Sequence, residues 1–176
     1  MRIDVVIELI IPDNTAFTVL TALRHLGYAA LQAVERAEHI ILTADENAQP
    51  SELVAHLAQA EVVFNPNKHR LSYSVENGAT STEPAELEAL VSDKDGDNSR
   101  LVRLLTTTFG MSGVRDIERA VGWRLRDTHG PASRERLEWA CRELLANRIS
   151  QRYDIRPRPH AASVRETAAG PTKGGR

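Results

Sequence analysis

An α+β chain built from two small units, each with an antiparallel sheet, is what this sequence predicts, and three observations carry the prediction. Short runs rich in β-branched residues alternate with amphipathic stretches of helical period. An aliphatic residue followed by Glu-Arg-Ala occurs twice, as Val34-Glu35-Arg36-Ala37 and Ile117-Glu118-Arg119-Ala120, 83 positions apart (117 − 34 = 83). The apolar positions around it recur at the same offset, as they must if one folding unit is written twice.

Residues 2–11, RIDVVIELII, form a strand interrupted by Asp4 and Glu8. Pro12 breaks it, and Asp13 or Asn14 caps a helix whose Ala16, Val19, Leu20, Leu23 and Leu26 fall on one face before Gly27 stops it. Residues 29–43 read as two strands around a turn near Arg36-Ala37-Glu38. Ser51 is placed to cap a second helix with Leu53, Val54 and Leu57 inward, and His69 to Val75 alternates as a last strand. Shifted by 83, Val19, Ala22, Leu26 and Gly27 become Val102, Leu105, Phe109 and Gly110, with Ser99 as the expected cap; Ile40 and Leu42 become Trp123 and Leu125. Residues 86–91 read as a strand on the strength of the repeat, although Pro84-Ala85-Glu86-Leu87 also suits a first helical turn. Ser133 to Ala146 gives a stronger second helix, and Ile149 to Ile155 a closing strand.

Each unit therefore reads β-α-β-β-α-β, the ferredoxin-like arrangement, in which a four-stranded antiparallel sheet carries both helices on one face. The expected organisation is repeat 1 over 1–77, a linker over 78–85, repeat 2 over 86–156, and a disordered basic tail over 157–176 that is too poor in apolar residues to offset its ordering entropy. Units of this size lean on a neighbour, and a tandem pair supplies one.

Composition, 41% hydrophobic and 26% charged, is that of a globular chain, and no run approaches the roughly 18 apolar residues of a membrane span. A cytoplasmic location is expected. Residues 1–95 hold 6 Lys/Arg against 15 Asp/Glu and residues 96–176 hold 16 against 9, so the front carries −9 and the back +7. Interleaving of the basic residues with acids favours mutual attraction of the halves over a nucleic-acid footprint.

Catalytic, cofactor and metal residues are expected to be none. The six histidines lack ligand spacing, Asp93, Asp95 and Asp97 lack the distal glutamate of a calcium loop, and no nucleophile elbow or phosphate loop occurs. Cys141, Trp123 and Trp139 read as core or lobe-interface residues, and Thr15 as a cap.

Leu144-Leu145-Ala146-Asn147, followed by Ile149 and Tyr153, resembles the C-terminal stretch of the PurS family, the small non-catalytic subunit of phosphoribosylformylglycinamidine synthase. Ala22-Leu23-Arg24-His25-Leu26-Gly27-Tyr28 with Val34 and Ile40 to Leu42 is similar to that family's first helix and following strand, and Asn65-Pro66 falls where it often carries Asn-Pro. Asn147 lies 82 positions beyond Asn65 (147 − 65 = 82). Where the family commonly reads Val-Arg-x-Gly-Lys, this chain reads Val34-Glu35-Arg36-Ala37-Glu38 and Ile117-Glu118-Arg119-Ala120-Val121. The resemblance implies a tandem adaptor that bridges a glutaminase subunit and an ATP-dependent synthetase subunit and helps ammonia pass between them. Arg36, Arg119, Asn65 and Asn147 are the implied partner contacts, and a homo-oligomer is possible within the same reading. Two other readings of the residues are a ligand-sensing module of the ACT type and nucleic-acid binding through the basic back half. The first is disfavoured by the lack of a glycine in Ile11-Pro12-Asp13-Asn14-Thr15.

Overall fold

The computed structural model describes residues 1–76 and 86–158 together with the backbone of 162–163. In the front half these are β1 (Arg2–Leu9), α1 (Asn14–His25), β2 (Leu31–Ala44), α2 (Pro50–Gln59) and β3 (His69–Val75). The back half follows with β4 (Leu87–Asp93), α3 (Ser99–Thr108), β5 (Val114–Asp127), β6 (Gly130–Pro131), α4 (Arg134–Ala140), β7 (Gln151–Pro157) and β8 (Ala162–Ser163). α4 runs on through a π-helical turn, Cys141–Leu145. The class is α+β: all strands join one antiparallel sheet in the order β7-β4-β5-β2-β1-β3-β8, with β6 on β5.

The expected hairpins around Arg36-Ala37-Glu38 and Arg119-Ala120-Val121 do not form. Residues 31–44 and 114–127 are each one 14-residue strand, so the front half runs β-α-β-α-β, and the back half has a second strand before α4 only through the two-residue β6, which turns back on the end of β5. Neither Arg36-Ala37-Glu38 nor Arg119-Ala120-Val121 holds the glycine, asparagine or proline that favours a tight turn, and straightening lets β2 and β5 pair along their length, from Leu31↔Asp127 to Ala44↔Val114. Other expectations hold. Residues 87–93 are a strand. Asp13 caps α1 by accepting from the Thr15 and Ala16 amides, and Ser133 caps α4. Gly27 and Gly110 adopt positive φ where their helices end, a conformation costly for other residues. Ser51 and Thr15 are not caps but lie inside helices; Pro50 opens α2 behind Gln49. Ser99 is the first residue of α3 and gives its amide to Asp97 instead.

The tail differs from expectation where it is described: Pro157 ends β7, and Ala162 and Ser163 pair with Tyr73 and Ser72 of β3. The linker 78–85 and residues 164–176 lie outside the described residues.

The register carries the repeat. Ile40 pairs with Arg119 and Arg36 with Trp123 (36 + 83 = 119; 40 + 83 = 123), so the 83-residue offset maps the β2–β5 ladder onto itself about the pair Glu38↔Val121. Val5↔Ile40 and Val5↔Tyr73 in front correspond to Ala89↔Trp123 and Ala89↔Ile155 behind, at offsets of 84, 83 and 82.

Two apolar cores lie under the helices, and each mixes the halves. In one, Leu53 and Leu57 of α2 and Leu105 of α3 cover Ile3, Val5, Ile40, Leu42 and Ile117. In the other, Leu23 of α1 and Leu137 and Ala140 of α4 cover Ala89, Val91, Trp123, Leu125 and Ile155. The first helix of each half lies against its own long strand and joins a core shared with strands of the other half. Cys141 lies in the second core, and Trp139 meets Tyr28 edge-on across the halves at 6.0 Å.

The sheet is coiled towards the face without helices. Arg156 of β7 ion-pairs with Asp4 of β1, with three strands between them. Flat strands would set β7 and β1 about 19 Å apart, beyond an arginine's reach.

Candidate functional site

Strand alternation sends one set of side chains from each strand into this concave face. From β1 come Asp4 and Glu8, from β2 Glu35 and His39, from β4 Glu88, from β5 Arg124, and from β7 Arg156, with Arg158 just beyond. His39, 1% exposed, holds Asp4 Oδ1 through Nδ1 at 2.9 Å and Glu88 Oε1 through Nε2 at 3.2 Å. Arg124 donates to Glu8 at 2.9 Å and to Glu35 at 2.8 Å; Arg158 donates to Glu8 at 2.9 Å. With His39 protonated the four carboxylates meet four cations, which is the condition for burying so much charge.

Gly122 makes the cluster possible. It lies on β5, between the strands of His39 and Glu88, and a Cβ there would sit 2.5 Å from His39 Nε2 and 2.6 Å from Glu88 Oε1.

Burial alone would lower the His39 pKa, but hydrogen bonds from Asp4 and Glu88, reinforced by their charges, raise it to about 9. Burial alone would raise the Asp4 carboxyl, and the His39 bond and charge with Arg156 hold it below its ordinary value. Arg124, which burial would lower, is raised by Glu8 and Glu35. An imidazolium whose two nitrogens both donate to buried carboxylates is neither a free base nor a metal ligand. Among the described residues no group of three or more His, Cys, Asp or Glu side chains is placed to hold a metal ion. The cluster joins the halves: Asp4, Glu8 and Glu35 of the front meet Arg156, Arg124 and Arg158 of the back, and His39 of the front meets Glu88 of the back.

Beside it open two clefts related by the same offsets. The smaller, about 270 Å³, is lined by Glu8, Glu35, Arg36 and Arg70. The larger, about 550 Å³, is lined by Ser92, Glu118, Arg119 and Arg152 (8 + 84 = 92; 35 + 83 = 118; 36 + 83 = 119; 70 + 82 = 152). Their chemistry has diverged. Arg36 is anchored at 2.9 Å to Asp13, the cap of α1. Among the described residues Arg119 ion-pairs with Glu38 alone, at 3.6 Å, and its side chain is 58% exposed. Gly96, Asp97 and Asn98, between β4 and α3, form one wall of the larger cleft.

Of the sequence-predicted contacts, Arg36 and Arg119 line these two clefts, whereas Asn65 and Asn147 lie apart from them and build turns. Asn65 Oδ1 accepts from the Asn67 amide, and the Asn65 carbonyl from His69; Asn147 Oδ1 accepts from Ile149, and the Asn147 carbonyl from Gln151. Each asparagine gives its own amide to the side chain four residues on, His69 Nδ1 or Gln151 Oε1. Sequence reasoning missed the charge cluster. Its signal was present as Asp4 and Glu8 on one face of an otherwise apolar strand, with His39 of β2 and Glu88 of β4 among other strand residues that share that face.

No helix among the described residues is long and apolar enough to cross a membrane. No family model and no curated protein matches the sequence.

Proposed function

We propose that this chain is a non-catalytic adaptor of the PurS kind: two ferredoxin-like units fused in tandem, bridging the glutaminase and synthetase subunits of phosphoribosylformylglycinamidine synthase and assisting ammonia transfer. The observation that carries the reading is the β2–β5 ladder centred on Glu38↔Val121. Taken as ferredoxin-like units, the halves each open the hairpin at Arg36-Ala37-Glu38 or Arg119-Ala120-Val121 and exchange the first helix with the front part of the long strand. Each four-stranded sheet is then completed by its sibling, as in 75–37, where β3, β1 and the back of β2 are joined by residues 114–120 of β5. One chain so supplies what a single small unit obtains by pairing with a copy of itself.

A bridging role needs two related surfaces and no nucleophile. The clefts of Arg36 and Arg119 are such surfaces, and Glu35 and Glu38, standing where the family commonly carries basic residues, are used internally by Arg124 and Arg119. The contact is therefore redirected to the more exposed Arg119 side. A tagged pull-down from extract in magnesium, glutamine and ADP tests it. Recovery of the glutaminase and synthetase subunits supports the reading, and their repeated absence rejects it.

One observation favours a second reading, a ligand-sensing module. The back half does carry a glycine between first strand and helix, Gly96, and it lines the larger cleft. Thermal shifts produced by free amino acids, abolished by Arg119→Ala, would favour this reading over the adaptor.

A further inference from the structure

We propose that Glu38 is the positioning residue of the larger cleft: it draws Arg119 away from Asp97 and so keeps that cleft open, whereas the matching pair of the smaller cleft, Arg36 with Asp13, is closed. Asp13 and Asp97 extend the correspondence of the two clefts at the offset of the first strands (13 + 84 = 97), and each lines its own. They also do the same local work. Asp13 Oδ1 accepts from the Thr15 amide at 2.8 Å, and Asp97 Oδ1 accepts from the Ser99 amide at 2.9 Å, each at the start of its half's first helix. A carboxylate fixed in this way by one oxygen can present the other to an arginine. In the front half Asp13 Oδ2 does so, accepting from Arg36 Nε at 2.9 Å, and the Arg36 side chain is 23% exposed. In the back half Arg119 turns to Glu38.

The ladder gives the reason. Glu38 and Val121 are paired at its centre, and the 83-residue offset exchanges them (38 + 83 = 121). What Glu38 is to Arg119, Val121 is therefore to Arg36, and a valine offers an arginine no charge. Arg36, with an isopropyl group at that place, goes to the cap of its helix; Arg119, with a carboxylate there, does not. Ion pairs between side chains as exposed as Arg119 and Glu38 are weak, so the presence of one carboxylate is enough to move an arginine from one partner to another. The position of Arg119 follows from these contacts whatever enters the cleft, while a partner subunit as the occupant rests on the adaptor reading.

The test uses the full chain carrying Glu38→Val, the residue that stands at the corresponding place of β5. The probe is phenylglyoxal, which condenses with accessible guanidinium groups, and peptide mass spectrometry reads the rates at Arg119 and Arg36 in one sample, so that Arg36 reports on the fold. In the native chain Arg119 should react faster than Arg36. In Glu38→Val the Arg119 rate should fall to about two fifths of its native value, the ratio of the two exposures (23/58), with the Arg36 rate unchanged. Adding Asp97→Asn should restore the fast rate, because asparagine keeps an oxygen for the Ser99 amide and loses the charge. Glu38→Gln, which keeps the length of the side chain, should protect Arg119 as Glu38→Val does. An Arg119 rate unchanged or raised in Glu38→Val, or protection that survives Asp97→Asn, would overturn the proposal. In the pull-down Glu38→Val should lose captured subunits along with the Arg119 rate. Failure of the native chain to capture either subunit would reject the adaptor alone, because the labelling of Arg119 requires no partner.

Discussion

Replacing Gly122 by alanine should be the most damaging single-methyl change in the molecule. The added Cβ would lie 2.5 Å from His39 Nε2, 2.6 Å from Glu88 Oε1 and 2.9 Å from Glu88 Cδ, all far inside van der Waals contact. Side-chain ends can often swing away from an intruder. These cannot, because His39 and Glu88 are 1% and 0% exposed and His39 is also bound to Asp4. Accommodating the methyl therefore breaks the 3.2 Å His39–Glu88 contact and leaves the buried Glu88 carboxylate with only the longer, 3.8 Å approaches of Arg124 and Arg156. Breaking a buried pair costs about 3–5 kcal/mol, and overpacking alone about 1–3 kcal/mol. A loss of about 4 kcal/mol is expected, which for a chain of this size lowers Tm by about 10 °C. The control is Gly96→Ala, where the nearest atoms to a new Cβ stand at 3.6 Å and the effect should be close to zero. Urea denaturation of both variants at pH 7 reads the difference. A Gly122→Ala cost below about 1 kcal/mol would refute the view that the cluster holds the halves together.

The remaining predictions concern the same charges and the turns. Since the folded pKa of His39 is raised to about 9 from an ordinary 6.5, its contribution is fully present below pH 6.5 and lost as pH rises towards 9 and beyond; it amounts to about 3 kcal/mol. Urea midpoints taken from pH 6 to 10 should therefore fall in the native chain and stay flatter in His39→Gln. Arg124→Ala, at a side chain 6% exposed and bound to two carboxylates, should cost about 3–5 kcal/mol. Arg119→Ala, mostly exposed, should cost less than about 1 kcal/mol while weakening capture of a partner in the pull-down. Asn65→Ala and Asn147→Ala should each lose about 1 kcal/mol by removing a turn-closing side chain, with no change in partner capture, because both asparagines face their own backbone. Thermal melts with parallel pull-downs would check the last two pairs.

Legibility in the sequence followed locality. The amphipathic faces of α1 and α4, the Asp13 and Ser133 caps and the glycine stops depend on residues a few positions apart, and each was readable. The repeat rescued β4, whose own residues suit a helix start. The straightness of β2 and β5 was not readable from within either segment. Arg36-Ala37-Glu38 permits a turn as readily as a strand, and the choice is made by a ladder to a segment 83 residues away. The charge cluster escaped notice for a related reason. A lone Asp4 or His39 looks like an interruption or a surface residue until coiling of the sheet brings β1, β4 and β7 together. Arg36 and Arg119 were found because a motif marked them. Asn65 and Asn147 were singled out by family likeness, yet their hydrogen bonds are those of turns.

The offset that superposes the β2–β5 ladder on itself also shows why the two halves are not interchangeable. It carries His39 onto Gly122 and Ile41 onto Arg124 (39 + 83 = 122; 41 + 83 = 124), while Asp4 goes to Glu88, acid to acid, at 84. Two copies of the front half, placed by the same symmetry, would set an imidazole at the site of Gly122, where even a Cβ meets His39 Nε2 at 2.5 Å. They would also put Ile41 where Arg124 now neutralises Glu8 and Glu35. Two copies of the back half would replace His39 by a glycine and so lack the imidazole that now joins Asp4 to Glu88. Each half thus supplies what the other lacks: the front gives the histidine and most of the acids, the back gives the gap and the arginines. The concave face is therefore assembled by a front half and a back half together.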